Sequence, residues 1–371
     1  MSLFKTFQLL AYEVPTGAYD GTNVLSAWDA GPRPVFPGGM VRTPDPRHPG
    51  AANPAELADA HSRLDRFASV VERAYVDGGG AKRWGIKGIL KIFTAPEFYF
   101  RPALPAQSYA YSEPQAQVIM SELERMFRHQ VFADWVFVCG TVVHFKQLST
   151  GPVYFNTAVV VFGGPEGRTF RLEKQDASGI DGVPTALTPG QHRAMKPRIN
   201  GYGDRRNHII EAHGMELGLE ICLEHHGTYQ VLRKVIQDRS KFEPGKPPGV
   251  PLHILTAGGM PSNNDSIGAL TNGYLLRVDG VAGPPSSLLK VIRWRSGQVG
   301  GATPSTEGAT AETQAVQPGQ GLSIAIAPGL HVPAPPVKTA ADPLPAQPWG
   351  VSVPVQQINV YPTRDIVSGQ N

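Results

Sequence analysis

Apolar and polar positions along the 371 residues change period repeatedly, and the changes mark out elements. "FKTFQLLAYEV" (4–14) alternates loosely and predicts a first strand. Asn53-Pro54-Ala55-Glu56 is a helix start, with a capping residue, a first-turn proline and an acid. Leu57, Leu64, Phe67, Val71 and Tyr75 keep helical spacing until the glycines at 78–80. "GILKIFTAPEFYF" (88–100) predicts a strand that runs into a proline-containing turn. A second capped helix is predicted over 112–130, with Val118, Ile119, Leu123, Met126 and Phe127 on one side. "DWVFVCGTVVHF" (134–145) and "VYFNTAVVVFGG" (153–164) are nearly continuous apolar runs, the mark of strands buried on both faces. Further strands are predicted over 215–222, 251–257, 274–280 and 287–294, with helices over 228–239 and 265–273. No internal repeat is evident. Helices alternating with buried strands make this an α/β chain or a layered α–β sandwich.

Two stretches break the pattern. Residues 15–52 are rich in Gly, Pro, Asp and Asn and predict a long insertion loop. After residue 296 the chain becomes Gly-, Pro- and Ala-rich, so 1–296 is expected as the main domain and 297–371 as an extended tail. Within that tail "SVPVQQINVYP" (352–362) is expected to add one edge strand.

Composition narrows the function. Hydrophobic residues make up 41%, enough for a full core, and the formal net charge is +3 with no block of like charge. A nucleic-acid or membrane-surface role is therefore not expected. No window approaches the roughly 18 apolar residues of a membrane helix, and the N-terminus is read as a strand and not a signal peptide. There are two cysteines, both inside apolar runs, which favours a reducing, cytoplasmic setting over a disulfide framework.

Three residues end or interrupt a strand with a charge or a thiol: Glu97, Lys174 and Cys222. Strand C-termini are where α/β folds place active sites. Cys222 closes an apolar run and is followed by Leu223, Glu224, His225 and His226. It reads either as a small buried hydrophobe, which suits Cys139 well, or as a nucleophile. A metal site is not expected, because no spaced second pair of ligands accompanies it. Glu97 reads either as a turn carboxylate or as a general base whose pKa is raised by Phe93, Phe98, Tyr99 and Phe100 around it. Lys174, taken alone, reads as a solvated strand-end lysine.

Taken together, the surroundings of the three resemble the nitrilase (carbon–nitrogen hydrolase) superfamily. "IFTAPE" resembles the approach to that family's glutamate, and "YFNTAVVVFGGPEGRTFRLEK" resembles the hairpin ending in its lysine. Gly218, Ile221, Cys222 and Glu224 match its G-x-x-I-C-x-E/D strand. "LTPG" (187–190), "ILTAGG" and "ALTNGYLLRVDG" fit as well, so the resemblance covers roughly 4–296. It implies an α-β-β-α sandwich and a Glu97–Lys174–Cys222 triad. The implied activity is cleavage of a non-peptide carbon–nitrogen bond, in a small amide or nitrile, through a thioester or thioimidate on Cys222. No metal or organic cofactor is implied, and a homodimer or larger homo-oligomer is expected. Acyl transfer to an amine on the same scaffold and a non-catalytic scaffold protein are the competing readings. Tyr99, Arg101, Tyr154, Leu223, Glu224, His225 and His226 are candidate substrate-binding residues, with Arg101 placed to meet a substrate carboxylate. The chain departs from the family in its long 15–52 insertion and its tail. It also lacks a second glutamate after the lysine, for which Asp181 is the nearest replacement.

Overall fold

The computed structural model describes residues 4–14, 16, 57–77, 88–102, 110–149, 151–175, 206–281, 285–295, 308–318, 323–326 and 356–367. The 15–52 insertion (Thr16 excepted), Asp181 and the 187–190 segment lie outside the described residues.

Two sheets face each other. The first is built on β1 (Thr6–Glu13), β2 (Ile89–Thr94), β3 (Tyr111–Ser112), β4 (Trp135–Leu148), β5 (Gly151–Phe162) and β6 (Thr169–Glu173). The second contains β7 (Ile209–Ala212), β8 (Met215–Ile221), β9 (Val250–Ala257), β10 (Ala269–Asp279), β11 (Ser286–Arg295) and β12 (Thr310–Val316). The late strands β13 (Ser323–Ile326), β14 (Gln356–Val360) and β15 (Arg364–Asp365) return to the first sheet. Its order is β13-β14-β1-β2-β4-β5-β6, with β15 on β1 and β3 on β4. The second runs β12-β11-β10-β9-β8-β7. Each sheet has three parallel strands at its centre, β1-β2-β4 and β8-β9-β10.

Side-chain alternation builds the layers. Leu9, Ala11, Leu90, Ile92, Val136, Val138, Ala158 and Val160 meet Leu217, Leu219, Ile221, Leu252, Ile254 and Leu276 between the sheets. The opposite face of the first sheet, including Leu10, Tyr12, Phe93, Phe137 and Val159, packs on α1 (Ala58–Asp77) and α2 (Glu113–Met126). Phe127 stacks on Phe137 at 3.8 Å in this layer. On the outer face of the second sheet Leu232 and Ile236 of α3 (Val231–Phe242) cover Val250. The layering is the expected helix–sheet–sheet–helix arrangement. Among the described residues, no helix is long and apolar enough to cross a membrane.

Several boundaries differ from expectation. Residues 265–273 do not form a helix, and β10 begins at Ala269. The Asp-Ser-Ile-Gly-Ala-Leu spacing suggested a helix, but Asn272 sits at φ 64° beside Gly273, and the register with β9 shifts between Ala269 and Tyr274. A bulge of that kind bends a strand without ending it. α3 starts only at Val231, because Gln230 is left-handed (φ 46°). α2 stops at Met126, ahead of the 130 expected. The strand expected at the edge, β14, is internal, flanked by β13 and β1. β1 would otherwise expose a row of unpaired backbone groups.

A buried acid fixes that junction. Glu13 accepts from Asn359 Nδ2 and Gln357 Nε2, each at 2.6 Å, and from the Ser286 hydroxyl. Replacing Glu13 by Ala removes the acceptor these donors share, while Asn359 keeps only its 3.3 Å bond to Ser286, and is expected to cost about 2 kcal/mol, read by urea unfolding. A second prediction concerns acid. His144 on β4 hydrogen-bonds Thr157 Oγ1 at 3.1 Å and stacks on Phe155. Burial lowers its pKa from 6.5 to about 4; Glu113 opposes the shift and Arg171 adds to it. The native ring stays neutral while the unfolded ring takes a proton. Stability is therefore expected to fall as pH drops from 6.5 towards 4, by at most about 1.4 kcal/mol per pH unit for this proton. A His144→Gln variant should flatten that part of the stability–pH curve.

Candidate active site

The acid is presented by a tight turn. Beyond β2 the chain passes Ala95-Pro96-Glu97, kinks at Phe98, whose φ is 64°, and resumes parallel to β4 at Phe100. Hydrogen bonds hold the turn. Ala95 N–H donates to Val138 O at 2.9 Å, and Phe98 N–H to Thr141 Oγ1 at 2.9 Å. Thr16 Oγ1 donates to Glu97 O at 2.6 Å, and Arg63 to Tyr99 O at 3.0 Å. Gly140 makes the close approach possible: a Cβ there would lie 2.4 Å from Pro96 O. The Glu97 carboxylate is fully buried. Its Oε1 accepts from Lys174 Nζ at 2.9 Å and from Asn156 Nδ2 at 2.8 Å. Lys174 and Asn156 are neighbours across β5 and β6, joined by the Lys174 N–H to Asn156 O bond at 2.9 Å.

The thiol arrives from the other sheet. Along β8 the alternation is strict. Leu217, Leu219 and Ile221 face the inter-sheet core, while Gly218 abuts Leu232 and Glu220 hydrogen-bonds the Leu232 N–H, both on the α3 side. Period two would send Cys222 to the α3 side as well. Instead Cys222 has φ 47°, a left-handed backbone, and its side chain joins the inter-sheet layer. There the thiol meets the Glu97 carboxylate and the Gly258 backbone N–H. Gly258 is close-fitting, since a Cβ at that position would lie 2.9 Å from Glu97 Oε2 and 2.4 Å from the Phe98 ring. Burial pushes the Cys222 thiol well above the ordinary range. The Glu97 charge adds to that, and Lys174 and the Gly258 N–H oppose it. The thiol lies buried against the Glu97 carboxylate.

Glu224 joins the two halves. Its Oε2 accepts from Ile221 N–H and its Oε1 from Gln175 N–H, both at 2.9 Å. One buried side chain thus ties the turn carrying Cys222 to the residue after Lys174.

The seven candidate substrate residues are dispersed. Tyr99 and Phe100 belong to the core under α1, with Tyr99 5.2 Å from Phe67. Both therefore lie on the face opposite the thiol. Arg101 lies over the Phe98 ring at 4.2 Å, and Tyr154 packs on the same side with Phe98, Ala110 and Val143. Lys174 Nζ is 5.9 Å from the same ring. Leu223 is half-buried and His226 exposed, next to Tyr229. Glu224 and His225 are fully buried with their polar atoms engaged by the protein itself. The residues missed from sequence are Asn156, Gly258 and Thr16. Asn156 left a trace as the one amide in an apolar strand, and Gly258 within "ILTAGG".

Left-handed backbone costs a non-glycine residue roughly 1–2 kcal/mol. Cys222→Gly is therefore expected to be more stable than Cys222→Ala by about 1 kcal/mol, the reverse of the order in ordinary extended chain. Urea unfolding of the two variants measures it.

No protein-family model and no curated protein sequence matches the chain. Among solved structures it is similar to Nit3 of Saccharomyces cerevisiae, a member of branch 10 of the nitrilase superfamily. Identity is 11%, with 84% of this chain and 90% of the other covered, at a TM-score of 0.39. A CN-hydrolase superfamily protein of Xanthomonas campestris with an arsenic adduct in its active site overlaps at 11% identity. There 83% and 90% of the two chains are covered, at a TM-score of 0.36. A glutamine-dependent NAD(+) synthetase of Cytophaga hutchinsonii overlaps at 9% identity over 84% of this chain and 43% of that one, at a TM-score of 0.35. The likeness to all three is distant.

Proposed function

We propose that this chain is a thiol hydrolase of the nitrilase type, cleaving a carbon–nitrogen bond in a small amide or nitrile. One observation carries the reading. A fully buried carboxylate, Glu97, is bonded to the Lys174 ammonium at 2.9 Å and also meets a thiol on left-handed backbone. Packing needs explain neither a buried ion pair nor a strained cysteine beside it.

With an amide, the Cys222 sulfur attacks the carbonyl carbon while its proton passes to Glu97. Burial, which disfavours the thiolate, makes that base necessary. Lys174 and a backbone N–H at Leu223 face the negative charge that develops on oxygen. Glu97 then gives the proton to the departing nitrogen, the C–N bond breaks, and a Cys222 thioester remains. Water, relieved of a proton by Glu97, attacks the thioester. The acid product leaves, and the proton returns to the sulfur. With a nitrile, attack gives a thioimidate, which takes up one water and loses ammonia to reach the same thioester. The steps balance without a metal or organic cofactor.

The test is a panel of small amides, nitriles and N-carbamoyl compounds, reading ammonia release and trapping the thioester by mass spectrometry. Cys222→Ala is expected to abolish turnover with the fold retained. Lys174→Ala is expected to lower kcat by about a hundred- to a thousandfold, the usual effect of removing one oxyanion donor. Turnover that survives Cys222→Ala rejects the proposal.

A further inference from the structure

Outside the triad, Glu220, His225 and His253 form a fully buried cluster whose side-chain ligand atoms lie within 4.8 Å of one another. By residue type it resembles a divalent-metal site, but the hydrogen bonds argue for a different use. His225 Nε2 accepts from the Asn263 N–H at 3.1 Å, and His253 Nδ1 accepts from the Gly268 N–H at 3.2 Å. The outer nitrogen of each ring therefore carries a lone pair, and the inner nitrogen carries the proton. Of the inner nitrogens, His225 Nδ1 donates to Glu220 Oε2 at 2.7 Å, and His253 Nε2 lies 3.0 Å from the same oxygen without hydrogen-bond alignment. A metal-bound imidazole has the opposite arrangement, with its outer N–H donating. The remaining oxygen, Glu220 Oε1, accepts from the Leu232 N–H at 2.7 Å, in the first turn of α3. Burial pushes the Glu220 carboxyl up, but His253 and His225 together pull it down further, to about 2, so it is ionised.

The cluster spans the nucleophile. Glu220 stands two residues before Cys222 and His225 three residues after it, so their bond closes a loop around the left-handed position. Glu224 secures the same turn from the inter-sheet side. Strained backbone persists only where its surroundings over-determine it. We infer that Glu220 is a positioning residue: through His225, and braced by His253, it keeps Cys222 left-handed and its thiol turned to Glu97. Without the clamp, Cys222 relaxes to extended backbone. Alternation then swings the sulfur to the α3 side, with Gly218 and Glu220. This inference rests on the reading of Cys222 as the nucleophile.

The experiment is alkylation of the folded full chain by iodoacetamide, with Cys222 and Cys139 followed separately by peptide mass spectrometry. Cys139 is the internal control, a fully buried thiol whose pKa is raised by burial. In the native protein Cys222 is expected to react faster than Cys139. Glu220→Gln offers one acceptor oxygen where the carboxylate uses two, and His225→Gln breaks only one arm of the clamp. Each is expected to slow Cys222 at least tenfold and leave Cys139 unchanged. A purely structural role predicts the opposite, both cysteines reacting faster together as the fold opens. That result, unchanged Cys222 reactivity, or failure of both variants to fold overturns the clamp. Native Cys222 reacting no faster than Cys139 sinks the nucleophile reading instead, and the clamp with it.

Discussion

The ion pair between Glu97 and Lys174 sets the terms for the rest of the molecule. Both side chains are excluded from water, and two charges in that position are costly unless each meets the other and further donors. Neither strand can supply that alone. β2 delivers the acid through a turn that needs Gly140 and the left-handed Phe98, and β5 and β6 deliver the amine together with Asn156. The second sheet then closes over the pair with Cys222 and Gly258. The site is therefore a property of the sandwich, and each layer is incomplete chemically without the other.

Much of this was legible from residue pattern, for reasons that differ by element. The apolar runs of β4 and β5 announce strands covered on both faces, and most of their length is. Glu97, Lys174 and Cys222 stood out because each interrupts such a run, and the fold brings them together. Periodicity fails where backbone leaves the common basins. Asn272 and Gly273 hide a bulge that reads as a helix, and Gln230 delays α3 by three residues. Cys222 is the sharpest case. Counting by twos places it on the wrong face of β8, and only its backbone torsion corrects that.

Long-range partners were the other blind spot. Nothing local in "GLEIC" or "PLHIL" says that Glu220 and His253 meet, since their contact depends on the pairing of β8 with β9. Nor does a Gly- and Pro-rich stretch announce β12 and β13, whose short strands are specified by the open edges they join. The candidate substrate residues lie apart for a simpler reason. Nearness in sequence to a catalytic position says little about facing, and Tyr99 follows Phe98 onto the opposite side of the sheet.

The position of β14 has a kinetic meaning. It is paired with β1, more than 340 residues earlier, as the Glu13–Asn359 bond spans 346 positions. Ribosomal synthesis runs from the N-terminus, so the strand leading to Thr16 and its bond to Glu97 emerges long before its neighbour does. Pairing over such a separation is slow to form. The nascent chain therefore carries an incomplete first sheet until β14 arrives, and the edge of β1 stays open through most of synthesis.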